Sequence, residues 1–176
     1  GCGQLNRPAY PRVKGIQNFK GEVFHSATWH HDYDLNNKKV AVIGTGASAI
    51  QFVPAIVPKV KNLTLFQRSA PYVIPKPDRT YSGLEQDIYT KWPVLQQASR
   101  AAIYSQHEVR ALAFTVLQVA LKPFEWQFKR HLNQSVKDPV LRAKLTPDYP
   151  LGCKRILISN DYYAALAQPH VNVVTD

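Results

Sequence analysis

The chain has 176 residues, 45% apolar and 19% charged, which are the proportions of a globular domain and exclude a disordered segment. Its net charge of +10 calls for an anionic partner, and nucleic acid, an acidic membrane surface and a phosphorylated cofactor all qualify. Cys2 and Cys153 are too few and too far apart for a disulfide framework or a zinc site, so a reducing, cytoplasmic setting is expected.

The length suits one medium domain with its own core, or a small domain with an appended lobe. Methionine is absent and the chain opens directly on the Gly/Pro-punctuated GCGQLNRPAYP, so it reads as an excerpt from a longer protein with no signal peptide pattern. The longest apolar stretch, ALAFTVLQVAL at residues 111–121, falls short of the ~20 residues a membrane span needs. It reads as one buried face of a soluble helix.

In chain order, residues 1–37 form an extended, Pro-bearing connector. Residues 38–79 then carry a βαβ pattern. KVAVI at 39–43 is a continuous β-branched run, the mark of a strand buried on both faces. Residues 47 to about 59 place apolar side chains at helical spacing, with Pro54 and Pro58 working against the helix. Residues 63–66 give the next strand. The Pro-rich APYVIPKPDR marks a boundary, and residues 80–148 read as a helical insertion broken at Pro93, Pro123 and Pro139. Asp138 before Pro139 is a helix start signal. In the last segment, 149–176, a turn at 149–152 precedes a short strand within 154–159. A short helix follows at 160–167, capped by Asn160 or Asp161, and then a strand at 171–174. The fold class is therefore α/β: a Rossmann-type unit with a helical insertion.

The strongest local signal is Gly44-Thr-Gly46-Ala-Ser-Ala49, a GxGxxA between an expected strand and an expected helix. Gly44 permits the tight turn, Gly46 lets the backbone approach a pyrophosphate, and Ala49 keeps helix against strand. The helix N-terminus adds free N–H groups and partial positive charge. The dinucleotide is chosen at the end of the second strand. A carboxylate there would bind a ribose 2′-OH, but the sequence is Gln67-Arg68-Ser69. A guanidinium beside a hydroxyl suits a 2′-phosphate, so NADPH is the expected ligand. The cofactor-binding set is Gly44, Thr45, Gly46, Ser48, Ala49, Gln51, Arg68 and Ser69.

Upstream of that unit, Phe19, Gly21, His25 and Trp29 stand at the spacing FxGxxxHxxxW. This stretch resembles the fingerprint of type I Baeyer–Villiger monooxygenases, flavoproteins that insert oxygen next to a ketone carbonyl. GQLNRPAYP resembles the family's connector leaving its FAD domain, VIGTGASAIQ and LFQRSAPYVIP its NADPH domain, and DPVLRAKLTPDYPLGCKRILISNDYY its return segment. The resemblance implies an NADPH- and FAD-dependent enzyme that uses O2 to turn a ketone into an ester or lactone. FAD would be bound mainly by parts outside this chain. It also implies roles. His25 couples the motions of the two dinucleotide domains, Lys154 shares the 2′-phosphate with Arg68, and Arg155 stands near the flavin to stabilise the anionic oxygenating intermediate. An arginine suits that task because it cannot lose its proton in a water-poor site. Where the family has Pro or Asp after the fingerprint Trp, this chain has His30.

Relatives that oxidise sulfur or nitrogen carry Tyr or Phe where this chain has Trp29, so a flavin monooxygenase of that kind is the first alternative. A nucleotide- or nucleic-acid-binding module without redox chemistry is the second. It has little support, because no helix-turn-helix, zinc-finger or RNP signature is present. His30 and His31 lack metal-ligand spacing and read as solvent-facing loop residues, and no metal is expected. Tyr162 and Tyr163 read as packing residues. The basic residues Lys122, Lys129, Arg130, Lys137, Arg142 and Lys144 read as solvated helix faces, so nucleic acid is not an expected partner. Oligomeric state is not legible.

Overall fold

The computed structural model describes residues 7–115 and 121–175, apart from the side chains of residues 109–115. The apolar stretch 111–121 therefore lies largely outside what is described.

Strand β1 (Lys39–Ile43) leads through the glycine turn into helix α1 (Ala49–Ile56), and strand β2 (Asn62–Gln67) returns parallel to β1. The crossover is the expected βαβ unit. Helix α1 is shorter at both ends than its apolar spacing suggests. Pro58 has no N–H to extend the ladder, and Lys59 and Val60 instead donate back to Ile56 O. After β2, the short strand β3 (Val73–Ile74) leads to helices α2 (Gly83–Lys91), α3 (Pro93–Thr115), α4 (Lys122–Ser135) and α5 (Pro139–Lys144). Pro93, Pro123 and Pro139 each sit in a first helical turn, where the missing N–H costs nothing. Asp138 caps α5 by accepting from Val140 N at 2.9 Å. The chain closes with β4 (Leu157–Ile158), α6 (Tyr162–Leu166) and β5 (Val171–Thr175).

The main sheet is three-stranded and parallel, in the order β1-β2-β5, with Val42 opposite Leu65 and Leu65 opposite Val173. Side chains at paired positions share a face. One face carries Val42, Leu63, Leu65 and Val173, all buried, and packs with α1, α4 and α6 into a single core. Tyr162 and Tyr163 are completely buried in that core, as packing residues should be.

Three expectations need correction. Strand β1 is not buried on both faces: Val42 is 6% exposed and Ile43 61%, because the helices that pack on the sheet cover one side of it. The opposite face, with Ile43 and Phe66, is open among the described residues. The expected strand within 154–159 shrinks to Leu157–Ile158 and pairs with β3 in a separate two-stranded sheet. Neither Asn160 nor Asp161 caps α6 with its side chain. Tyr162 N donates to Ser159 Oγ at 3.2 Å, which itself donates to Asp161 Oδ1 at 2.7 Å. Asn160 is engaged elsewhere, accepting from Lys76 N at 2.8 Å and donating to Lys76 O at 3.2 Å.

The basic residues are also not all solvated. The Arg142 guanidinium donates to Val136 O and Lys137 O, and Lys144 Nζ donates to Val173 O at 2.8 Å. These two cations satisfy backbone carbonyls at the ends of α4 and within β5, where no helical or ladder N–H reaches them.

Candidate functional site

The site is built where β1 and β2 end. Gly44 has φ +104°, a conformation that side-chain-bearing residues rarely adopt, and its N–H donates to Phe66 O at 3.0 Å. The turn is thereby locked to the neighbouring strand. A Cβ placed on Gly46 would meet nothing within 4 Å, so internal packing does not demand glycine there. The open space in front of that backbone is what close approach by a pyrophosphate requires. Ser48 stands exposed at the N-cap of α1 without a side-chain cap bond, while Ile50 N already donates to Gly46 O at 3.2 Å and Gln51 N to Ser48 O at 3.0 Å. Ala49 is buried between helix and strand, and Gln51 uses its side-chain amide to donate to Ala47 O at 3.0 Å.

Ser69 joins three segments. Its carbonyl accepts from Thr45 Oγ1 of the glycine turn at 3.3 Å. Its hydroxyl accepts from Lys154 Nζ at 2.8 Å, across 85 residues of sequence. Arg68, the residue before it, is exposed and has no hydrogen bond or ion pair among the described residues. Glycine turn, strand end and return segment thus meet at one point, with Arg68 and Lys154 as its cations and no carboxylate paired to either among the described residues. Arg155 is likewise exposed and without a partner among the described residues. The backbone places it beside Lys154 and brings it no further into the cluster.

Lys154 is delivered by a turn in which Cys153 N donates to Pro150 O and Gly152 has φ +97°. The β3–β4 pairing fixes that segment, since Leu157 N donates to Tyr72 O and Ser159 N to Ile74 O. Tyr149 was not singled out from sequence. Its ring lies under the Lys154 ammonium at 4.2 Å, and its hydroxyl donates to Ala70 O at 2.9 Å. No periodicity or motif in the sequence signals such a contact.

The fingerprint residues lie away from this point, along the connector. A Cβ on Gly21 would stand 2.5 Å from Phe19 Cε1, so glycine there makes room for the Phe19 ring. His25 Nδ1 accepts from Ala27 N at 3.1 Å and caps a single 3-10 turn, which leaves the proton of the neutral ring on Nε2. Trp29 packs on Phe24 and on Phe52 of α1, at 5.1 and 5.2 Å between ring centroids. His30 is exposed, as expected, but it stacks on Phe24 and lies 2.7 Å from Glu22 Oε1. Among the described residues no group of three or more His, Cys, Asp or Glu side chains is placed to hold a metal ion. No described helix is long and apolar enough to cross a membrane.

The model for flavin-binding monooxygenase-like proteins matches residues 2–139. A protein of Pseudomonas aeruginosa named Baeyer-Villiger monooxygenase is 51% identical over 176 residues, which is 100% of this chain and 33% of that relative. The chain thus spans about a third of the length of the curated relatives it matches. Among solved structures, the polycyclic ketone monooxygenase of Thermothelomyces thermophila superposes with a TM-score of 0.80 at 26% identity. The match covers 96% of this chain and 34% of that one. An oxidised steroid monooxygenase bound to NADP gives 0.74 at 27% identity, over 96% and 39%.

Proposed function

The chain belongs to the flavin-binding monooxygenase-like family, and we propose that it is the NADPH-binding portion of a Baeyer–Villiger monooxygenase that converts a ketone into an ester or lactone. The observation that carries this reading is the convergence on Ser69 of a glycine turn, a strand end bearing Arg68, and Lys154. A dinucleotide with a 2′-phosphate fits that arrangement. The Gly46 backbone is open to the pyrophosphate, and Arg68 and Lys154, neither in an ion pair among the described residues, stand with the Ser69 hydroxyl where a 2′-OH-binding carboxylate would otherwise stand.

NADPH, when bound, would supply hydride chemistry, and FAD, held mainly outside this chain, would supply the chemistry with O2. This chain's residues bind and orient. The glycine turn and the α1 N-terminus would take the pyrophosphate, Arg68 and Lys154 would fix the 2′-phosphate, and Arg155 would offer a permanent positive charge near the flavin. His25, on the connector, couples the nucleotide unit to the flavin-binding part of the protein. Residues 1–37, 38–79, 80–148 and 149–176 serve as connector, nucleotide unit, helical insertion and return segment. Use of NADPH and the exposed free thiol of Cys153 suit a cytoplasmic setting.

Oxidation of sulfur or nitrogen is the rival activity, and Trp29 is what favours the ketone. Its ring packs against Phe24 and against Phe52 of α1. Assaying the full-length enzyme with a cyclic ketone and a thioether side by side separates the two. Ester or lactone is the expected product, and sulfoxide without ester would overturn the reading.

A further inference from the structure

We infer that Tyr149 is the positioning residue for Lys154, holding its ammonium over an aromatic face so that it meets the 2′-phosphate fully charged. This rests on the reading of Lys154 as a 2′-phosphate ligand given above. The Tyr149 ring centroid is 4.2 Å from Lys154 Nζ, within the range of a cation–π contact. The ring is itself fixed on several sides. Its hydroxyl donates to Ala70 O at 2.9 Å, and its carbonyl accepts from Tyr72 Oη at 2.9 Å. Its edge meets Tyr72 at 5.5 Å between centroids, and Tyr72 packs on Phe128, a buried residue of α4, at 4.9 Å. A chain of packed rings therefore runs from the core to the ammonium.

The chemistry explains why a ring rather than a carboxylate holds this lysine. An exposed lysine has four rotatable bonds, and ordering it costs entropy that a ligand would otherwise have to meet. A carboxylate could order it, but would neutralise it and compete with the phosphate. An aromatic face attracts the cation through its quadrupole and leaves the net charge in place. The second contact, to Ser69 Oγ at 2.8 Å, is to a neutral hydroxyl and has the same virtue. Burial and the neighbouring Tyr72 push the Tyr149 phenol above its ordinary range, so its hydroxyl stays protonated and the bond to Ala70 persists at working pH.

The test uses the full-length protein and two probes, 2′,5′-ADP and ADP, with dissociation constants from calorimetry. Their ratio isolates the 2′-phosphate contact. Tyr149→Leu should weaken 2′,5′-ADP about tenfold while leaving ADP within about twofold, and Tyr149→Phe, which keeps the ring, should stay within about threefold on both. Equal losses on the two probes, or no loss on either, would overturn the inference. If Tyr149→Leu does not fold, Tyr149→Phe decides: retained selectivity supports the ring, and a selective loss of about tenfold assigns the effect to the hydroxyl and removes the ring from it. Lys154→Ala separates the two layers. If it leaves 2′,5′-ADP unchanged, the reading of Lys154 falls and Tyr149 with it. If it weakens 2′,5′-ADP selectively while Tyr149→Leu does not, the role of Tyr149 alone is wrong.

Discussion

Arg68→Ala is the most direct probe of the cofactor reading, because the structure separates its effect on binding from its effect on folding. Arg68 is exposed and has no hydrogen bond or ion pair among the described residues, so no internal contact is lost with it. Stability should therefore stay within about 0.5 kcal/mol of the parent. A hydrogen bond to a charged group contributes about 1.5–3 kcal/mol. The site is open to solvent and screened by salt, so the lower part of that range applies. With about 1.4 kcal/mol per tenfold, the dissociation constant for NADPH should rise roughly 10- to 30-fold. NADH, which lacks the 2′-phosphate, should be affected less than about twofold. The assay is titration of each nucleotide into the full-length protein, with a denaturant midpoint as the folding control. Equal losses for NADPH and NADH would show that Arg68 does not read the 2′-phosphate. A large loss of stability would show that it has a structural partner after all.

Gly46→Ala adds a methyl group that meets nothing within 4 Å, so the denaturant midpoint should be unchanged or rise by about 0.4–1 kcal/mol of stability, while calorimetry should show NADPH binding weakened at least about tenfold. Unchanged binding would mean that no ligand approaches that backbone. Tyr162→Phe removes a completely buried hydroxyl that has no hydrogen-bond partner among the described residues, so urea titration should show stability unchanged or up to about 1 kcal/mol higher. A clear loss would reveal a partner for that hydroxyl. For His131, burial is the larger influence and lowers the pKa below 6.5, while the bond to Ser159 O opposes it. The unfolded chain then binds the proton more readily, so this residue's contribution is complete above about pH 6.5 and is lost as pH falls towards the folded-state value. His131→Gln should show a shallower loss of stability between about pH 7 and pH 5 than the parent, and identical slopes would refute the assignment.

What could be read from sequence was what neighbouring residues decide among themselves. The β1–turn–α1–β2 unit follows from one β-branched run, one GxGxxA and one helical spacing, all within 29 residues of chain. The starts of α3, α4 and α5 follow from prolines whose missing N–H is harmless only in a first turn. What escaped was decided by distant partners. Nothing in LISN says that its strand pairs with β3, or that Asn160 spends its amide on Lys76, 84 residues away, and leaves Ser159 to cap α6. Strand β1 misled for a related reason. Its apolar run fits a strand covered on both faces, but covering is a property of neighbours, and the described residues supply them on one side. Arg142 and Lys144 look like surface charge until the carbonyls they satisfy are located. Within the proposed site, Gly44, Gly46, Arg68 and Ser69 could be picked out because each stands in or beside a local signal, the glycine turn or the end of β2. Tyr149 was not, since its task depends on a lysine that folds back over its ring.

The intervals of the connector fingerprint also take on physical content. Phe19 lies over Gly21, which must lack a Cβ to admit the ring, and this accounts for the two-residue step. His25 caps the 3-10 turn Ser26–Thr28, and Trp29 follows at the turn's end, which accounts for the four-residue step. Trp29 reaches the nucleotide unit through Phe52 on α1, the helix whose N-terminus forms part of the proposed cofactor site. Leu35, nearer β1, also packs on the core. The connector is thus braced internally by Phe19 and His25, and it meets α1 through the Trp29 ring. A shift of α1 on nucleotide binding would reach the rest of the fingerprint through that ring. That geometry gives the coupling role proposed for His25 a physical route: the histidine sets the turn that aims Trp29, and Trp29 makes the contact.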